Sequence, residues 1–318
     1  LARADNGAAG MKGVSLFLLP RRLEDGSLNH YRIIRLKDKL GTRSMASGEI
    51  RLEGAVAYLV GEEGRGFVQM ADMVNNSRLS NGVRAAGLMR RAVAEAEFIA
   101  SERRAFGRTL DQMPLMQRQL DKLRLPSEQA RTMVCQTALA LARSDANEAD
   151  AYALLRILTP LIKFRACRDA RKVTGDAMEV RGGCGYIEEW SDARLVRDAH
   201  LGSIWEGTSN IVALDVIRAV KREGSLPVLR AHCEKLLDDA ALAPGFAKAL
   251  RDALERAAAL AETAAREGGD VLARQAASAL YHCTSAIAMA WEASHSGSAA
   301  RLRWAQLVLL HRVMVAQA

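Results

Sequence analysis

The feature that most constrains the fold is a change of pattern at the glycine-rich segment between Gly61 and Gly66. Before this segment, short runs alternate between apolar and polar residues, which predicts β-strands. After it, apolar residues recur every three or four positions almost to the last residue, which predicts long helices. A short strand-forming start followed by a helical remainder buries its core mainly between helices. We therefore predict a mainly α protein with a small β region.

The β region is predicted to contain three strands, and Leu1–Asp5 reads like the tail of a further strand. Val14–Leu19 is a short apolar run that ends at Pro20, and Tyr31–Leu36 and Glu49–Leu52 alternate in the manner of strands. Glu24–Ser27 has the residue types of a tight turn. The predicted strands therefore all lie before the glycine-rich segment.

Glycines and prolines divide the helical part into segments. The predicted helices run from Phe67 to about Phe106 with Gly107 as the stop, from about Asp111 to Ala142 with a kink or break at Pro126, from Asn147 to about Val180 with an interruption near Pro160, and, after a cap at Thr208–Asn210, to about Arg222. Beyond Gly224 lies an alanine- and leucine-rich tail with further breaks at Pro244, Gly268 and Gly297. Its three or four helices with short connections predict an additional antiparallel bundle.

Composition limits the classes of protein that this chain can belong to. Of its 318 residues, 49% are hydrophobic and 26% charged, and no apolar run is long enough to span a membrane. The chain starts at Leu1 without an export signal, so we expect a cytoplasmic protein whose natural N-terminal part is absent from this sequence. Five scattered cysteines without a Cys-x-x-Cys pair predict reduced thiols, and two isolated His-Cys pairs predict no metal site.

The most informative stretch for function runs from Ser203 to Ile211. Glu206 follows the aromatic Trp205 and precedes Gly207 and three residues of the types that cap helices. A carboxylate held beside an aromatic ring at a loop-to-helix junction is a candidate general base. The alternative is that Glu206 only complements the dipole of the helix that follows it. Motifs elsewhere in the chain favour the first interpretation.

Four further signals occur in a fixed order around this stretch. They are Glu102–Gly107, Gln117 in the next helix, Gly182–Tyr186, and Arg197-Asp198 ahead of Ile204–Thr208. Together they resemble the acyl-CoA dehydrogenase family over about residues 12–220. Lys37–Arg43 and Gly61–Phe67 resemble the second half of that family's β-barrel domain and the entry to its C-terminal helical domain. Trp205, the run Leu214–Arg218 and the helical tail are most similar to the branch of the bacterial alkylation-response flavoprotein.

The resemblance implies a fold and a division into domains. It implies the second half of a β-barrel domain at residues 1–62, the C-terminal dehydrogenase helical bundle at 63–222, and an additional helical domain at 223–318. The family's N-terminal helical domain and the first half of its barrel are absent from the sequence. The expected fold class is therefore mainly α with a partial β-barrel and an extra C-terminal helical bundle.

The resemblance also implies an FAD enzyme that oxidises the α,β bond of an acyl thioester. In this chemistry a carboxylate removes the α-proton while the β-hydride passes to the flavin. The family places its base at one of two positions. One matches Glu206, and the other matches Ser77, which cannot act as a base without a partner. Glu206 is therefore the expected catalytic base.

Further site residues are assigned by their positions in the family's motifs. The expected cofactor-binding residues are Arg103, Phe106, Gln117, Gly182, Gly183, Thr208 and Asn210, and the expected substrate-binding residues are Arg78, Trp205 and Gly207. Arg103 matches an arginine that meets the flavin pyrophosphate of a neighbouring subunit, a role suited to a guanidinium fork. One departure is Glu179, where most members carry glutamine. An acid near phosphate is unfavourable, so the contact at Glu179 is not expected to form in the usual way.

The resemblance implies several partners. They are an acyl-CoA substrate, FAD, further copies of the same chain in a dimer or tetramer, and an electron-transfer flavoprotein as acceptor. The alternative function is DNA binding or protection, because Arg218 matches a residue implicated in DNA binding in the branch and the net charge is +8. Residues 219–318 carry 12 basic and 10 acidic side chains, so we expect any DNA binding to be weak.

Overall fold

The glycine-rich segment between Gly61 and Gly66 separates the longer strands from the helices, as the sequence predicts. The computed structural model describes residues 1–4 and 8–314. Within these ranges the strands are β1 (Ala2–Arg3), β2 (Val14–Leu18), β3 (Tyr31–Leu36), β4 (Gly48–Leu52), β5 (Tyr58–Val60), β6 (Arg104–Ala105) and β7 (Arg108–Thr109). The α-helices are α1 (Gly66–Glu102), α2 (Pro114–Asp145), α3 (Ala151–Arg181), α4 (Ser191–Leu201), α5 (Ser209–Arg222), α6 (Ser225–Asp238), α7 (Pro244–Ala264), α8 (Ala273–Ser296) and α9 (Ala299–Val308). A π-helical segment, Leu309–Met314, follows α9.

The chain forms two compact units, Leu1–Ser77 and Arg78–Ala318, and their boundary lies within α1. The division into three domains that the resemblance implies, with boundaries after residues 62 and 222, stays a prediction. The last four residues of its third domain, 315–318, lie outside the described residues.

The first unit consists of two small antiparallel sheets. One has the order β1-β2-β5, and the other pairs β3 with β4 in a register that shifts between Ile33 and Arg35. β2, β3 and β4 lie where the sequence predicts strands. β1 lies within Leu1–Asp5, where the sequence predicts the tail of a strand, although Asp5 is outside the described residues. β5, with three residues, is too short to show a pattern. The turn predicted at Glu24–Ser27 is confirmed by a hydrogen bond from Leu23 N to Ser27 O at 2.9 Å.

Polar side chains take the buried positions in the first unit. The Asn29 amide donates to the carbonyl oxygens of Pro20 and Val56 at 2.8 Å each, and its Oδ1 accepts from Val56 N at 2.9 Å. None of this unit's described apolar side chains is buried, and Ile33 and Ile50 on the β3–β4 sheet are about half exposed. The hydrophobic core of the described chain is therefore confined to the second unit.

The first helix ends earlier than the sequence predicts. α1 stops at Glu102 instead of near Phe106, and β6 and β7 then pair as a short hairpin. The two residues between these strands, Phe106 and Gly107, both have positive φ, as in the two-residue turns that suit the twist of a hairpin. Gly107 therefore belongs to a hairpin turn and does not cap a helix.

The interruption expected near Pro160 is wrong, and Pro126 does not break its helix, because α2 and α3 continue through these prolines; a kink at Pro126 stays a prediction. A proline inside a helix removes one backbone hydrogen bond and costs about 3 kcal/mol. Next to Pro160, however, Leu158, Leu161 and Ile162 are fully buried. Each such side chain contributes about 1.5–3 kcal/mol on burial. Packing thus outweighs the loss at the proline.

α3 is the central helix of the second unit, since it packs against α2, α4, α5, α6 and α8. The predicted helical tail is confirmed as α6 to α9, with breaks at Gly224, Pro244, Gly268 and Gly297. Within the tail, the middle of α8 from Leu280 to Ala290 is buried throughout, and α8 packs against α6, α7 and α9. This arrangement places polar side chains on the inner faces of α3, such as Lys163, between several helices.

Candidate functional site

Glu206 lies in a tight turn between α4 and α5. Hydrogen bonds from Ile204 N and Trp205 N to Leu201 O, at 2.9 and 3.2 Å, begin this turn. Glu206 has a φ of 55° and Gly207 a φ of 102°, so both residues adopt left-handed backbone conformations. For a glutamate this conformation costs roughly 1–3 kcal/mol, and it persists only where the surrounding structure holds it.

Two cationic side chains hold the backbone of this turn. The Arg78 guanidinium on α1 donates from Nε to the Glu206 carbonyl oxygen at 3.0 Å. The Lys163 ammonium on α3 donates to the next carbonyl oxygen, that of Gly207. Lys163 is only 1% exposed. Burial lowers the pKa of Lys163, while the charge of Glu206 acts in the opposite direction. Because hydrogen bonds from charged donors are stronger than neutral ones, these two bonds fix the turn.

Asp215 on α5 balances the charge of the arginines behind the turn. Asp215 is 6% exposed and accepts from Arg78 Nη1 and from Arg156 Nη2, at 2.7 Å each. Arg156 on α3 also pairs with Glu223 at 2.9 Å. Buried charges are tolerated only when they are paired and hydrogen-bonded. One carboxylate therefore connects α1, α3 and α5 directly behind the turn that carries Glu206.

Trp205 is fixed beside Glu206 by a polar contact. Its indole Nε1 donates to Asn81 Oδ1 at 2.7 Å, and the Arg84 guanidinium carbon lies 6.0 Å from the ring centroid. The side chain of Trp205 remains 37% exposed, so it borders solvent next to the turn. The structure thus brings together four of the residues assigned from the sequence: Arg78, Trp205, Glu206 and Gly207.

The helix after the turn begins where the sequence predicts. Thr208 has the extended conformation of an N-cap residue, although its side chain makes no capping hydrogen bond within the described structure. Arg168 Nη1 donates to Ser209 Oγ at 3.3 Å, and Arg274 Nη1 donates to Asn210 Oδ1 at 3.5 Å. Two basic side chains therefore lie against the first turn of α5, where two of the assigned cofactor contacts are.

The β6–β7 hairpin presents Phe106 to solvent. Phe106 is 94% exposed and has a φ of 53°, and Gly107 has a φ of 81°. Arg104 and Arg108 occupy the two strands of the hairpin. A bulky side chain at positive φ is uncommon and strained, and an aromatic ring with this exposure gains nothing from the core. The turn is therefore a candidate contact surface.

Arg103 and the double glycine meet beside this hairpin. Arg103 Nη1 donates to the Arg181 carbonyl oxygen at 3.2 Å, and a Cβ atom placed on Gly182 would lie 3.0 Å from the same Nη1. Gly182 also has a φ of 72°, which glycine adopts without strain. Arg181 is buried and pairs with Asp192 and Glu95 at 2.6 Å each. A group that approaches Gly182 therefore meets bare backbone next to a guanidinium.

Gln117 and Glu179 share a cavity. Both residues line a space of about 730 Å³ between α2 and α3, which is also bordered by Lys122 and Lys172. The assigned site residues thus fall into three groups: Arg78, Trp205, Glu206 and Gly207 with the start of α5, Arg103 and Gly182–Gly183 beside the Phe106 hairpin, and Gln117 with Glu179.

The family model for the C-terminal domain of acyl-CoA dehydrogenases matches residues 64–221. This range contains all the residues assigned to the site, from Arg78 to Asn210. The chain belongs to the acyl-CoA dehydrogenase family. The expected fold class, mainly α and similar to acyl-CoA dehydrogenases, is confirmed.

Two curated relatives place the chain within the family. Acyl-CoA dehydrogenase family member 11 of Caenorhabditis elegans is 35% identical over 255 residues, which are 79% of this chain and 41% of the relative. The putative acyl-CoA dehydrogenase AidB of Escherichia coli (strain K12) is 40% identical over 218 residues, which are 67% of this chain and 39% of the relative. AidB represents the predicted alkylation-response branch. The chain spans less than half the length of either relative.

Solved acyl-CoA dehydrogenases have the same fold. The crystal structure of Caenorhabditis elegans ACDH-11 in complex with C11-CoA matches with a TM-score of 0.90 at 30% identity, over 96% of this chain and 54% of that one. An acyl-CoA dehydrogenase complexed with FAD from Bacillus anthracis matches with a TM-score of 0.73 at 19% identity, over 92% of this chain and 57% of that one. The first match extends over nearly the whole chain and therefore includes the helical tail.

The sequence analysis missed three residues that build the Glu206 turn: Lys163, Asp215 and Asn81. A signal exists for two of them. Lys163 is the only charged residue in the run Ile157–Phe164, and Asp215 is the only one in the run Ile211–Ile217. A single charge on an apolar helix face needs a buried partner, so both residues are recognisable as members of an internal polar network. Asn81 gives no comparable signal.

Other kinds of site were also sought within residues 1–4 and 8–314. No group of three or more histidine, cysteine, aspartate or glutamate side chains there is placed to hold a metal ion. All five cysteines are free thiols. Among the described helices, none combines the length and the apolar character that crossing a membrane requires.

Proposed function

We propose that this chain is the C-terminal part of an FAD-dependent acyl-CoA dehydrogenase in which Glu206 is the catalytic base. In the proposed reaction a Glu206 carboxylate oxygen takes the α-proton of the acyl thioester, and the β-hydrogen leaves as hydride with its electron pair, so that an α,β double bond forms. FAD, when bound, supplies the acceptor for that hydride. The protein residues bind and orient the acyl thioester, and Glu206 takes up its α-proton.

The observation that carries this proposal is the way the Glu206 turn is fixed. Arg78 and Lys163 donate to two consecutive carbonyl oxygens, Asp215 holds Arg78 from behind, and Lys163 is itself buried. A residue that only complemented a helix dipole would not need a strained φ of 55° and two cationic donors. A general base has to be positioned within a few tenths of an ångström, and rigid support of this kind provides that.

The chain's own residues also fit FAD. At Gly182 a Cβ atom would come within 3.0 Å of Arg103 Nη1, so the missing side chain leaves a place where a phosphate group can reach the guanidinium and the backbone. We assign the pyrophosphate contact to Arg103 with Gly182 and Gly183. Phe106, Gln117, Thr208 and Asn210 complete the proposed set, because their positions match the family's cofactor contacts.

The proposed partners follow from the same assignment. The substrate is an acyl-CoA, with Arg78, Trp205 and Gly207 as its proposed contacts, and the electron acceptor is an electron-transfer flavoprotein. ACDH-11, which matches 96% of this chain, was solved with C11-CoA, which supports this substrate class. We also propose a homodimer or homotetramer in the cytoplasm. Exposed apolar side chains on the helical unit, such as Phe98 at 60% and Leu115 at 82%, support an assembly of chains.

Replacing Glu206 by glutamine tests the proposed function. Glutamine keeps the shape of the side chain but cannot accept the α-proton, so acyl-CoA turnover should fall about 10³-fold or more while the flavin absorbance is unchanged. The matched control is Glu262→Gln, the same chemical change at an exposed position of α7, away from the assigned site residues. Turnover of Glu206→Gln within about tenfold of the parent would show that another group is the base.

A further inference from the structure

A second site of a different kind lies between α3, α7 and α8. These helices and the π-helical segment enclose a cavity of about 490 Å³, within the size range of small-molecule sites. Five arginines line this cavity, and together we call them the arginine cluster: Arg165, Arg168, Arg256, Arg274 and Arg312. Among the described residues, no aspartate or glutamate side chain lines it. The described side chains that line the cavity therefore include five positive charges and no negative charge.

The hydrogen bonds of the arginine cluster leave most of this charge unbalanced. Arg165 forms a two-pronged ion pair with Asp169. Arg168 and Arg274 bond only to neutral oxygens, those of Ser209 and Asn210. The side chains of Arg256 and Arg312 have no hydrogen bond or ion pair with any described residue. Only one of the five guanidinium groups is therefore paired with a carboxylate.

Three largely buried arginines elsewhere in the same unit are each paired with a carboxylate. Arg156 pairs with Asp215 at 2.7 Å, Arg181 pairs with Asp192 at 2.6 Å, and Arg301 pairs with Glu292 at 2.6 Å. The chain thus supplies a carboxylate to each of these three arginines. Within the arginine cluster, burial and then the charges of Arg274 and Arg165 lower the pKa of Arg168. Like charges kept this close raise the free energy of the folded chain unless a ligand neutralises them.

The remaining walls of the cavity are mostly apolar. Ala253, Ala257 and Leu260 of α7 face it, together with Ala279 of α8. His282 also lines it, and burial lowers the pKa of His282 well below its ordinary value, so this imidazole adds no charge. A ligand that suits these walls has several negative charges at one end and a less polar group at the other.

We propose that this cavity binds a nucleoside diphosphate, with its phosphates on the arginine cluster and its nucleoside against the apolar wall of α7. Planar guanidinium forks match phosphate oxygens better than any other side chain, and several of them in one place select a ligand with more than one phosphate charge. A single carboxylate ligand leaves most of the cluster unneutralised. The cavity is concave and built from four helical segments, whereas a duplex needs a basic surface that follows its backbone.

The arginine cluster borders the flavin contacts assigned above, because Arg274 donates to Asn210 Oδ1 at 3.5 Å and Arg312 also lines the cavity that contains Gln117, but none of its five members belongs to that set. Binding is measured by isothermal titration calorimetry on the intact protein saturated with FAD, so that the flavin contacts are already occupied. The probes are ADP, inorganic pyrophosphate and adenosine. We expect one ADP to bind for each chain, pyrophosphate to bind at least about threefold more weakly, and adenosine to give no measurable heat.

The decisive variant is Arg256→Ala combined with Arg312→Ala, because removing these two side chains breaks no ion pair within the described chain. We expect its affinity for ADP to fall at least about tenfold, which corresponds to about 1.4 kcal/mol. The matched control is Arg222→Ala with Arg266→Ala, which removes the same charge at two exposed positions outside the cavity and should change the affinity less than about twofold. The single variant Arg256→Ala, at an exposed position, should still bind ADP about threefold more weakly than the parent. It therefore tests the proposal even if the double variant does not fold.

Three results would overturn the proposal. One is an unchanged affinity for ADP in the Arg256→Ala, Arg312→Ala protein. Another is an equal loss in the Arg222→Ala, Arg266→Ala control, which would indicate attraction by net charge alone. The third is displacement of ADP by a short duplex DNA whose own binding depends on Arg256 and Arg312, since that would assign the cluster to a nucleic-acid backbone.

Discussion

Two turns of this molecule share an unusual backbone and differ in almost everything else. Glu206-Gly207 and Phe106-Gly107 each place a non-glycine residue at a φ near 55° ahead of a glycine with positive φ. The first turn is held by Arg78 and Lys163, and both of its residues are partly buried. The second is the tip of a hairpin whose strands have two residues each, and its phenyl ring is 94% exposed.

The difference indicates which groups stabilise the backbone conformation of each turn. The Glu206 turn is complete within one chain, because α1, α3 and α5 all contribute charged contacts to it. The Phe106 turn lacks comparable contacts from the described chain, so we propose that the group that contacts it in function comes from outside, from the cofactor or from another chain. Strained residues of this kind concentrate at functional sites. We therefore expect changes behind the first turn to affect catalysis and changes at the second to affect binding.

The largest effect outside Glu206 itself is expected from Lys163→Met. Methionine fills a similar volume but leaves the Gly207 carbonyl oxygen without its charged donor, and a shift of the turn by about 1 Å can cost about 10²-fold in rate. Lys163 is a positioning residue, so kcat should fall while KM and flavin content stay close to those of the parent. Relief from the burial of a charge offsets the lost hydrogen bond, so the melting temperature should change little.

The control for this change is Lys172→Met on the same helix, where the side chain is 74% exposed and pairs only with Asp176. Its kcat should match that of the parent protein. If Lys163→Met also left kcat unchanged, the claim that buried cations hold the catalytic turn would be wrong.

At the other turn, the next largest effect is expected from Arg103→Ala. Loss of the guanidinium beside Gly182 should lower the flavin retained after gel filtration about tenfold, because a charged fork to pyrophosphate is removed. Arg104→Ala, the adjacent exposed arginine in the hairpin, is the matched control and should retain flavin. Equal flavin in Arg103→Ala and in the parent would leave Arg103 with its structural bond to the Arg181 carbonyl oxygen as its only role.

A smaller effect is expected from Phe106→Asn, which distinguishes the backbone strain at this position from a role in flavin binding. Asparagine is favoured at the first position of a two-residue hairpin turn, so Phe106→Asn should raise the free energy of unfolding by about 1 kcal/mol. No core packing is lost, since the ring is exposed, yet flavin retention should decrease. Gly107→Ala should lower the free energy of unfolding by a similar amount, because its φ of 81° disfavours a side chain. A Phe106→Asn protein that is more stable and retains all its flavin would remove Phe106 from the site.

The comparison also shows how far the sequence alone can be taken. The location of Glu206 before a capped helix, the breaks of the helical tail and three of the strands were predictable, because each depends on local residue types. The hairpin at Phe106 was not, since its basic and aromatic residues continue the helical pattern and only the pairing of β6 with β7 ends it. Nor were the continuous helices through Pro126 and Pro160, where tertiary packing overrides the local penalty.

Long-range contacts account for the rest of what was missed. The bonds from Lys163 to the turn and from Arg156 to Asp215 join residues far apart in the chain, and only the fold reveals them. The lone charges in apolar runs signalled that Lys163 and Asp215 have buried partners, but a sequence does not identify which partners those are.

The smallest effect is expected on DNA binding, and it tests the difference between the Glu206 turn and the Phe106 turn. If Arg103 beside the Phe106 turn serves a cofactor, duplex binding by this protein should be weak and should disappear near physiological salt. Arg218, the residue that matches a DNA contact, is 62% exposed but lies 3.8 Å from Asp215. In the tail, pairs such as Arg230 with Glu255 and Arg251 with Glu234 further reduce the positive surface.

A duplex titration at several salt concentrations measures this directly, since log affinity falls with log salt with a slope of about −0.9 for each phosphate neutralised. We expect a slope that corresponds to only a few contacts, and no change of that slope in Arg218→Ala. A slope for about six or more contacts that Arg218→Ala abolishes would favour the DNA-binding alternative. If Arg104→Ala and Arg108→Ala reduce the slope instead, the exposed turn at Phe106 binds nucleic acid. The two turns would then differ as a catalytic site differs from a DNA contact.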